Sequence, residues 1–211
     1  MMTLRTWQQT IKPIDELIVQ ASAKDGSDSW QPFPIGMCWQ YGFNCNRNTQ
    51  IGTHDKLILC AISPGTDQRR RPSGINRRTI LDNLQKLGIY NRQVDHSEYF
   101  GCVPSYKFVV SPEGNGIDCH RHYEALLAGA IPIMEHNPLV EKKYAGLPIL
   151  YTTDYSELTE EYLNIKYAEM IDTVHDFSRL FLQYYDAETQ RQIKECGNNW
   201  MSKLCGQQWY I

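Results

Sequence analysis

The sequence lacks most of the short signatures by which a chain declares its chemistry. Its seven cysteines, at 38, 45, 60, 102, 119, 196 and 205, form no Cys-x-x-Cys pair, which excludes a zinc ribbon or a thioredoxin-type site. Their odd number and irregular spacing suit reduced thiols in a cytoplasmic protein, and Cys60, inside an apolar run, acts as a small hydrophobe. Neither G-x-G-x-x-G nor G-x-x-x-x-G-K-[ST] occurs, which argues against a NAD site and a phosphate loop. No apolar run approaches the roughly 20 residues that span a bilayer, and the polar stretch 1–20 is no secretory leader. There is no excess of basic residues: the net charge is −3 and the isoelectric point about 6.1, unlike a general nucleic-acid binder. What is present is a globular composition, 42% hydrophobic over 211 residues, enough for one decorated domain or two tight ones. A chain of this length buries roughly 70% of its unfolded surface and needs no staples. The Met1-Met2 doublet reads as a start placed before an excised segment, so further domains of a longer chain are expected as neighbours.

Residues 3–22 read as an amphipathic helix interrupted near Pro13, and 24–36 as a loop; 37–54 show no clear period. Four short apolar runs follow, KLILCAIS (56–63), YKFVVS (106–111), IPIME (131–135) and LPILYTT (147–153), each suited to a strand buried on both faces. Between them lie helical patterns at 79–88, 120–130 and within 137–146, with Gly88 and Gly129 as stops. From Ser156 the pattern is helical almost to the end. Strands alternating with helices predict βαβ units. The fold class is therefore α/β, a doubly wound, mostly parallel Rossmann-like sheet with helical additions at both termini. The division is 1–55, an N-terminal helical or irregular segment, and 56–211, the α/β domain with its C-terminal helices. In such sheets the ligand sits beyond the carboxyl ends of the strands, here loops 64–78, 111–119 and 135–138.

The stretch from Ser111 to Ile133 is richest in chemistry: a strand end, a Gly-Asn-Gly turn and a helix start. Gly114 and Gly116 allow positive φ and close backbone approach. The first-turn amides and helix dipole favour an anion, and Arg121 adds a fork of donors for phosphate oxygens. Glu124, three residues on, lies on the same face one turn deeper, where a carboxylate can accept from ribose hydroxyls. The same turn also reads as a plain tight connection, with Asp118 as N-cap.

The segment YKFVVSPEGNGIDCHRHYEALLAGAIPIM resembles the C-terminal, nucleotide-sugar-binding half of GT-B-type glycosyltransferases. The exostosin-like and fucosyltransferase-like groups come nearest, including domains from large algal viruses that glycosylate capsid protein. The likeness spans roughly 56–153, with 106–135 its specific part. It implies transfer of a sugar, such as rhamnose or fucose, from a nucleoside-diphosphate donor to a glycan or glycoprotein acceptor, in the host cytoplasm if viral. By that likeness Arg121 faces the donor diphosphate, Glu124 holds the ribose, and Asn115 and Gly116 line the nucleotide or sugar. Arg78 resembles a second diphosphate arginine, with Arg77 an equal candidate. Lys107 occupies the Tyr-Lys-Phe position, where a solvated strand-edge lysine fits as well. Only about 55 residues precede the first strong strand, too few for a complete acceptor half. A non-catalytic donor-binding or scaffold domain is therefore the alternative.

A divalent-metal sugar transferase normally carries Asp-x-Asp, and none occurs, so no metal or other cofactor is expected. His120 and His122 at i, i+2 point apart on a helix and make a poor metal pair. Charge on the leaving diphosphate then falls to Arg121, a loop arginine and the helix dipole. The arginines at 69–71, 77 and 78 read either as a solvated loop or as a phosphate clamp. Trp30, Trp39, Tyr41 and Phe43 read as core or as stacking surfaces. A general base has four unranked candidates, Asp118, Asp67, His54 and His120; with Arg121, Asp118 and His120 form the expected catalytic set.

Overall fold

The computed structural model describes residues 1–25, 30–44 and 51–211, with the side chains of Phe43, Asn44 and His96 outside that description. Its centre is a parallel sheet of four strands, β2 (Lys56–Leu59), β3 (Tyr106–Val110), β4 (Ile131–Glu135) and β5 (Leu150–Thr152), in that spatial order. Ile58 pairs with Phe108, Phe108 with Ile131, and Ile133 with Leu150. All five residues of β4 are buried, as a strand covered on both faces requires. The fold is thus α/β with a Rossmann-like parallel sheet flanked by helices. The order is sequential, so the strand reversal that marks a doubly wound sheet does not fall among these four strands. With right-handed crossovers, a sequential order sets the connecting helices on one face.

Each crossover helix is bounded by its own sequence. Helix α3 (Arg77–Lys86) begins at a capping box between Asn76 and Thr79, buries Ile80 and Leu84, and is followed by Gly88 at φ +78°. Helix α5 (His120–Leu127) is buried from His122 to Leu127 and followed by Gly129 at φ +79°. Helix α6 (Pro138–Lys143) has Asn137 as cap and proline in its first turn. A further helix, α4 (His96–Cys102), interrupts the β2–β3 connection. After β5, α7 (Glu160–Ile171) sets Tyr167 edge-on to Phe108, ring centroids 6.0 Å apart.

The termini depart from the helical expectation. Helix α1 (Leu4–Gln8) is short, and beyond Pro13 only a single 3-10 turn, Ile14–Glu16, forms. Leu17, Ile18 and Val19 instead run extended and fully buried. The Ile18 and Val19 amides donate to the hydroxyls of Tyr123 and Tyr210 (3.1 and 2.9 Å). Proline breaks the helix and two β-branched residues suit the extended strap that follows. In the C-terminal region, β6 (Val174–His175) pairs antiparallel with β1 (Met2–Thr3), and two 3-10 turns precede α8 (Ala187–Cys205). Trp7 stacks on Phe177 (4.3 Å) and donates to the Leu126 carbonyl (2.8 Å), so the N-terminal segment shares the core of the α/β unit. Helix α2 (Trp39–Asn44) closes the described N-terminal part.

Candidate functional site

The loops after β2 and β3 meet the amino end of α5, and two clefts flank that helix start. Cys119, at the N-cap position, and His120 line both. The first cleft, about 570 Å³, is bounded by residues 61–64 and 91–95, by Tyr41 and Tyr99, and by Arg121 and Glu124. The second, about 540 Å³, lies over the Gly114–Gly116 turn and takes in Gln20, Trp30, Arg70, Arg77 and Trp200.

The first cleft gathers the arginine and the carboxylate that lie one turn apart on α5. Arg121 donates from Nε to the Tyr99 hydroxyl (3.0 Å) and from Nη2 to the Ala61 carbonyl (2.8 Å). Its guanidinium also stands 5.3 Å from the centre of the Tyr99 ring. These bonds fix the group while using two of its five N–H donors, and both acceptors are uncharged. Glu124 is 2% exposed and, among the described residues, accepts one hydrogen bond, from the Cys38 amide (3.1 Å). Burial pushes its carboxyl up to about 7, with the Cys38 amide and Arg121 pulling the other way. Tyr41 and Tyr99 stand 5.8 Å apart and give the cleft an aromatic wall. The site is an anchored cation, a carboxyl that titrates near neutrality, and two rings.

The remaining expected site residues fall elsewhere. Asn115 and Gly116 line the second cleft, across Cys119 and His120 from Arg121. Neither turn glycine has positive φ; Gly114 packs closely, since a Cβ there would meet Arg77 Nη2 at 2.8 Å and Cys119 Sγ at 3.2 Å. Asp118 is not an N-cap. Its carboxylate accepts from Lys143 (2.8 Å), the Tyr144 hydroxyl (2.7 Å) and the Ile35 amide (3.1 Å). Burial opposes its ionisation, but Lys143, His122 and Tyr144 outweigh burial and hold the carboxyl below its ordinary range.

His120 is also fully engaged. Its Nδ1 meets the Gly36 carbonyl (2.8 Å) and its Nε2 the Gln20 amide nitrogen (3.2 Å), while the Gln20 oxygen accepts from the Trp39 amide (3.0 Å). That chain defines a neutral imidazole with its proton on Nδ1, and burial lowers its pKa. His122 turns the other way, to the Ser111 hydroxyl (2.7 Å). Among the described residues no group of three or more His, Cys, Asp or Glu is placed to hold a metal.

Lys107 stands near the amino end of β3 with its ammonium 4.9 Å over the Tyr167 ring, away from both clefts. His54 precedes β2 and bonds to the Tyr106 carbonyl (2.8 Å), which puts it at the amino edge rather than the ligand edge expected for it. Arg78 is exposed on the first turn of α3, beside the Gln68 amide, whose oxygen is assigned toward it (3.1 Å to Nη1). Arg77 is the buried member of that pair, donating to the carbonyls of Glu113 (2.8 Å), Pro112 (3.1 Å) and Ser63 (3.2 Å).

Three loop arginines thus point inward. Arg70 pairs with Glu113 (2.6 Å), and Arg71 with Glu135 (2.7 Å) and Asp67 (2.9 Å). These contacts pin the loop to the ends of β3 and β4. Phe43 and Cys45 lie outside the described side chains. Tyr99, Arg92 and Asn91 of the first cleft carried no local signal: each is an ordinary polar or aromatic residue in a connection, brought in only by the path of the chain. No family model matches the chain, and no curated protein matches it. No helix among the described residues is long and apolar enough to cross a membrane.

Proposed function

We propose that this chain is a glycosyltransferase domain of the GT-B type that binds a nucleoside-diphosphate sugar in the first cleft and passes the sugar to a hydroxyl of a glycan or glycoprotein. The observation that carries this reading is the pairing of Arg121 and Glu124 in one cleft beside Tyr41 and Tyr99. The unused donors of Arg121 suit a diphosphate, whose negative charge grows as the bond to the sugar breaks. Glu124, one turn deeper, suits the ribose hydroxyls, and the tyrosine wall suits a base. Binding and turnover are expected to survive EDTA, because arginine rather than a metal carries the charge; loss with EDTA and rescue by manganese overturns that mechanism. The donor sugar proposed is a deoxyhexose such as rhamnose or fucose.

A specific observation favours a second reading, a non-catalytic donor-binding or scaffold domain acting beside other domains. Asp118 and His120, two of the candidate bases, already have their hydrogen-bonding positions filled within the protein. The decisive experiment is a melting series against UDP-, GDP- and TDP-sugars, followed by an assay for donor hydrolysis and transfer. A ligand at about 100 times its dissociation constant adds roughly 2.7 kcal/mol. No shift with any nucleotide sugar at millimolar levels ends both readings; a shift with zero turnover selects the second.

A further inference from the structure

We propose that the second cleft is a carbohydrate site that takes a pyranose ring between Trp30 and Trp200, over the Gly114–Gly116 turn. Both indoles are fixed by their own N–H groups: Trp30 donates to the Leu139 carbonyl (3.3 Å), and Trp200 to those of Ser22 (3.1 Å) and Ala23 (3.0 Å). With the N–H donors consumed, and with the Lys142 ammonium 5.7 Å from the centre of the Trp30 ring and that of Lys203 4.9 Å from the centre of the Trp200 ring, each indole offers a ligand its edge and at most one face. A pyranose has the matching surface: its axial C–H groups, slightly positive, meet the negative face of an indole, while its hydroxyls point outward.

The polar lining suits those hydroxyls. Gln20 reaches the cleft from a backbone held at φ 52°, a conformation that costs a non-glycine residue on the order of 1 kcal/mol or more and persists where its surroundings impose it. Its amide oxygen is taken by Trp39 and one N–H by His120, leaving the second N–H for a ligand. Gln31 adds another amide. The charged side chains of the lining are held within the protein: Arg70 is paired with Glu113 and Lys143 with Asp118, while Arg77, without a carboxylate partner for its guanidinium, spends its donors on the carbonyls of Glu113, Pro112 and Ser63. A neutral polyol therefore fits here better than a phosphate or an acidic peptide. The volume, about 540 Å³, falls within the roughly 300–1,000 Å³ of small-molecule sites.

The binding inference stands on the cleft alone. Its assignment as the acceptor side rests on reading the first cleft as the donor site, because Cys119 and His120 form a wall common to the two.

The test titrates the full chain with methyl pyranosides of glucose, galactose, mannose, fucose, rhamnose and xylose, read by tryptophan fluorescence and saturation-transfer NMR. At least one glycoside is expected to bind saturably with a dissociation constant on the order of 1–10 mM. Trp30→Ala, at a half-buried position, is expected to weaken it at least about tenfold, the equivalent of about 1.4 kcal/mol. Asn115→Trp, at the exposed tip of the turn, fills the cleft without entering the core and is expected to abolish binding. No saturable binding, or affinity unchanged in both variants, overturns the proposal. The nucleotide-sugar melt reads the other cleft, so the two failures separate. Glycoside binding without any nucleotide shift sinks the glycosyltransferase reading and leaves the sugar site standing; a nucleotide shift without glycoside binding does the reverse.

Discussion

Arg71 and Arg121 sit at the same edge of one sheet, each near a buried carboxylate, yet the two regions are built to opposite ends. Around Arg71 nearly every polar group is answered, the exception being Asp67 Oδ1, which is buried without a hydrogen-bond partner among the described residues. The three Arg71 nitrogens go to Asp67, Glu135 and the Glu113 carbonyl, and Glu135 also accepts from the Glu113 amide and the Tyr155 hydroxyl (3.1 Å each). Around Arg121 the bonding is incomplete: its acceptors are neutral, its Nη1 has no hydrogen-bond partner among the described residues, and Glu124 has one donor. Both regions contain arginine and glutamate, so composition does not separate them. The number of partners does. A cation whose three nitrogens are all committed has little left for a ligand, whereas a fixed but unsaturated one gains by binding it.

The sharpest way to break this comparison is to remove Arg71. Arg71→Met strands Glu135 and Asp67 without their cation in a poorly solvated site, and breaking a buried pair on one side costs about 3–5 kcal/mol. Urea unfolding should show that loss, and the melting temperature should fall by roughly 10 °C at about 2–4 °C per kcal/mol. A loss below about 1 kcal/mol means the network behaves like a surface ion pair, and the contrast fails.

Arg121→Ala is the converse test. It is expected to remove about 2–4 kcal/mol of transition-state stabilisation, lowering kcat as well as donor affinity, with a smaller effect on stability. Glu124→Ala, by contrast, removes contacts to a ribose whose charge does not change during reaction, so it should raise KM while kcat falls much less. If Arg121→Ala leaves nucleotide-dependent stabilisation intact, the diphosphate is not held in this cleft.

Glu124→Gln sharpens the comparison through pH. The Glu124 pKa rises from its ordinary value to about 7 on folding, chiefly through burial, so the native state holds a proton that the unfolded chain has lost. Between about pH 4.5 and 7 stability therefore declines as pH rises, and above 7 the full penalty, on the order of 3 kcal/mol, is present. Glutamine keeps an acceptor for the Cys38 amide without the charge. The variant should match the wild type at pH 4 and melt higher at pH 8; equal melting at both shows that Glu124 is solvated and the cleft open to water.

The sheet was legible because its strands are continuous apolar runs with turn residues at both ends, as at 56–59 and 131–135. Helix α5 was equally plain, and with it the joint placement of Arg121 and Glu124, since i and i+3 share a face. The N-terminal strap was not. Leu17, Ile18 and Val19 carry a pattern compatible with a helix, and only the distant hydroxyls of Tyr123 and Tyr210 make the extended path better. The pairing of β1 with β6 is invisible for the same reason, because it joins residues some 170 positions apart. Helix α4, polar and capped by no side chain, gave no amphipathic signal. In the site itself, the split between two clefts depends on where Cys119 and His120 pack, which spacing does not encode. The run of arginines misled most: its charge pattern is that of a solvated loop or a clamp, and three of its members turn inward to carboxylates or carbonyls.

The smallest expected effect lies at the arginine that does not turn inward. Arg78 and Arg77 are adjacent, and a helix start alone does not say which one faces the ligand edge. In the fold, Arg77 is buried against three carbonyls, while Arg78 is exposed beside Gln68 and borders neither cleft. An exposed side chain with one neutral neighbour contributes little, so Arg78→Ala is expected to change unfolding free energy by less than about 0.5 kcal/mol. It should also leave the nucleotide-sugar melting shift unchanged, in contrast to Arg121→Ala. The salt dependence of that shift provides a second reading, because a long-range contribution from Arg78 would fade within a Debye length of about 10 Å at 0.1 M ionic strength. If Arg78→Ala halves the nucleotide-dependent stabilisation at low salt, then the outer face of the loop takes part in holding the diphosphate. The first cleft would then extend across α3, and the contrast between the loop arginines and Arg121 would no longer hold at Arg78.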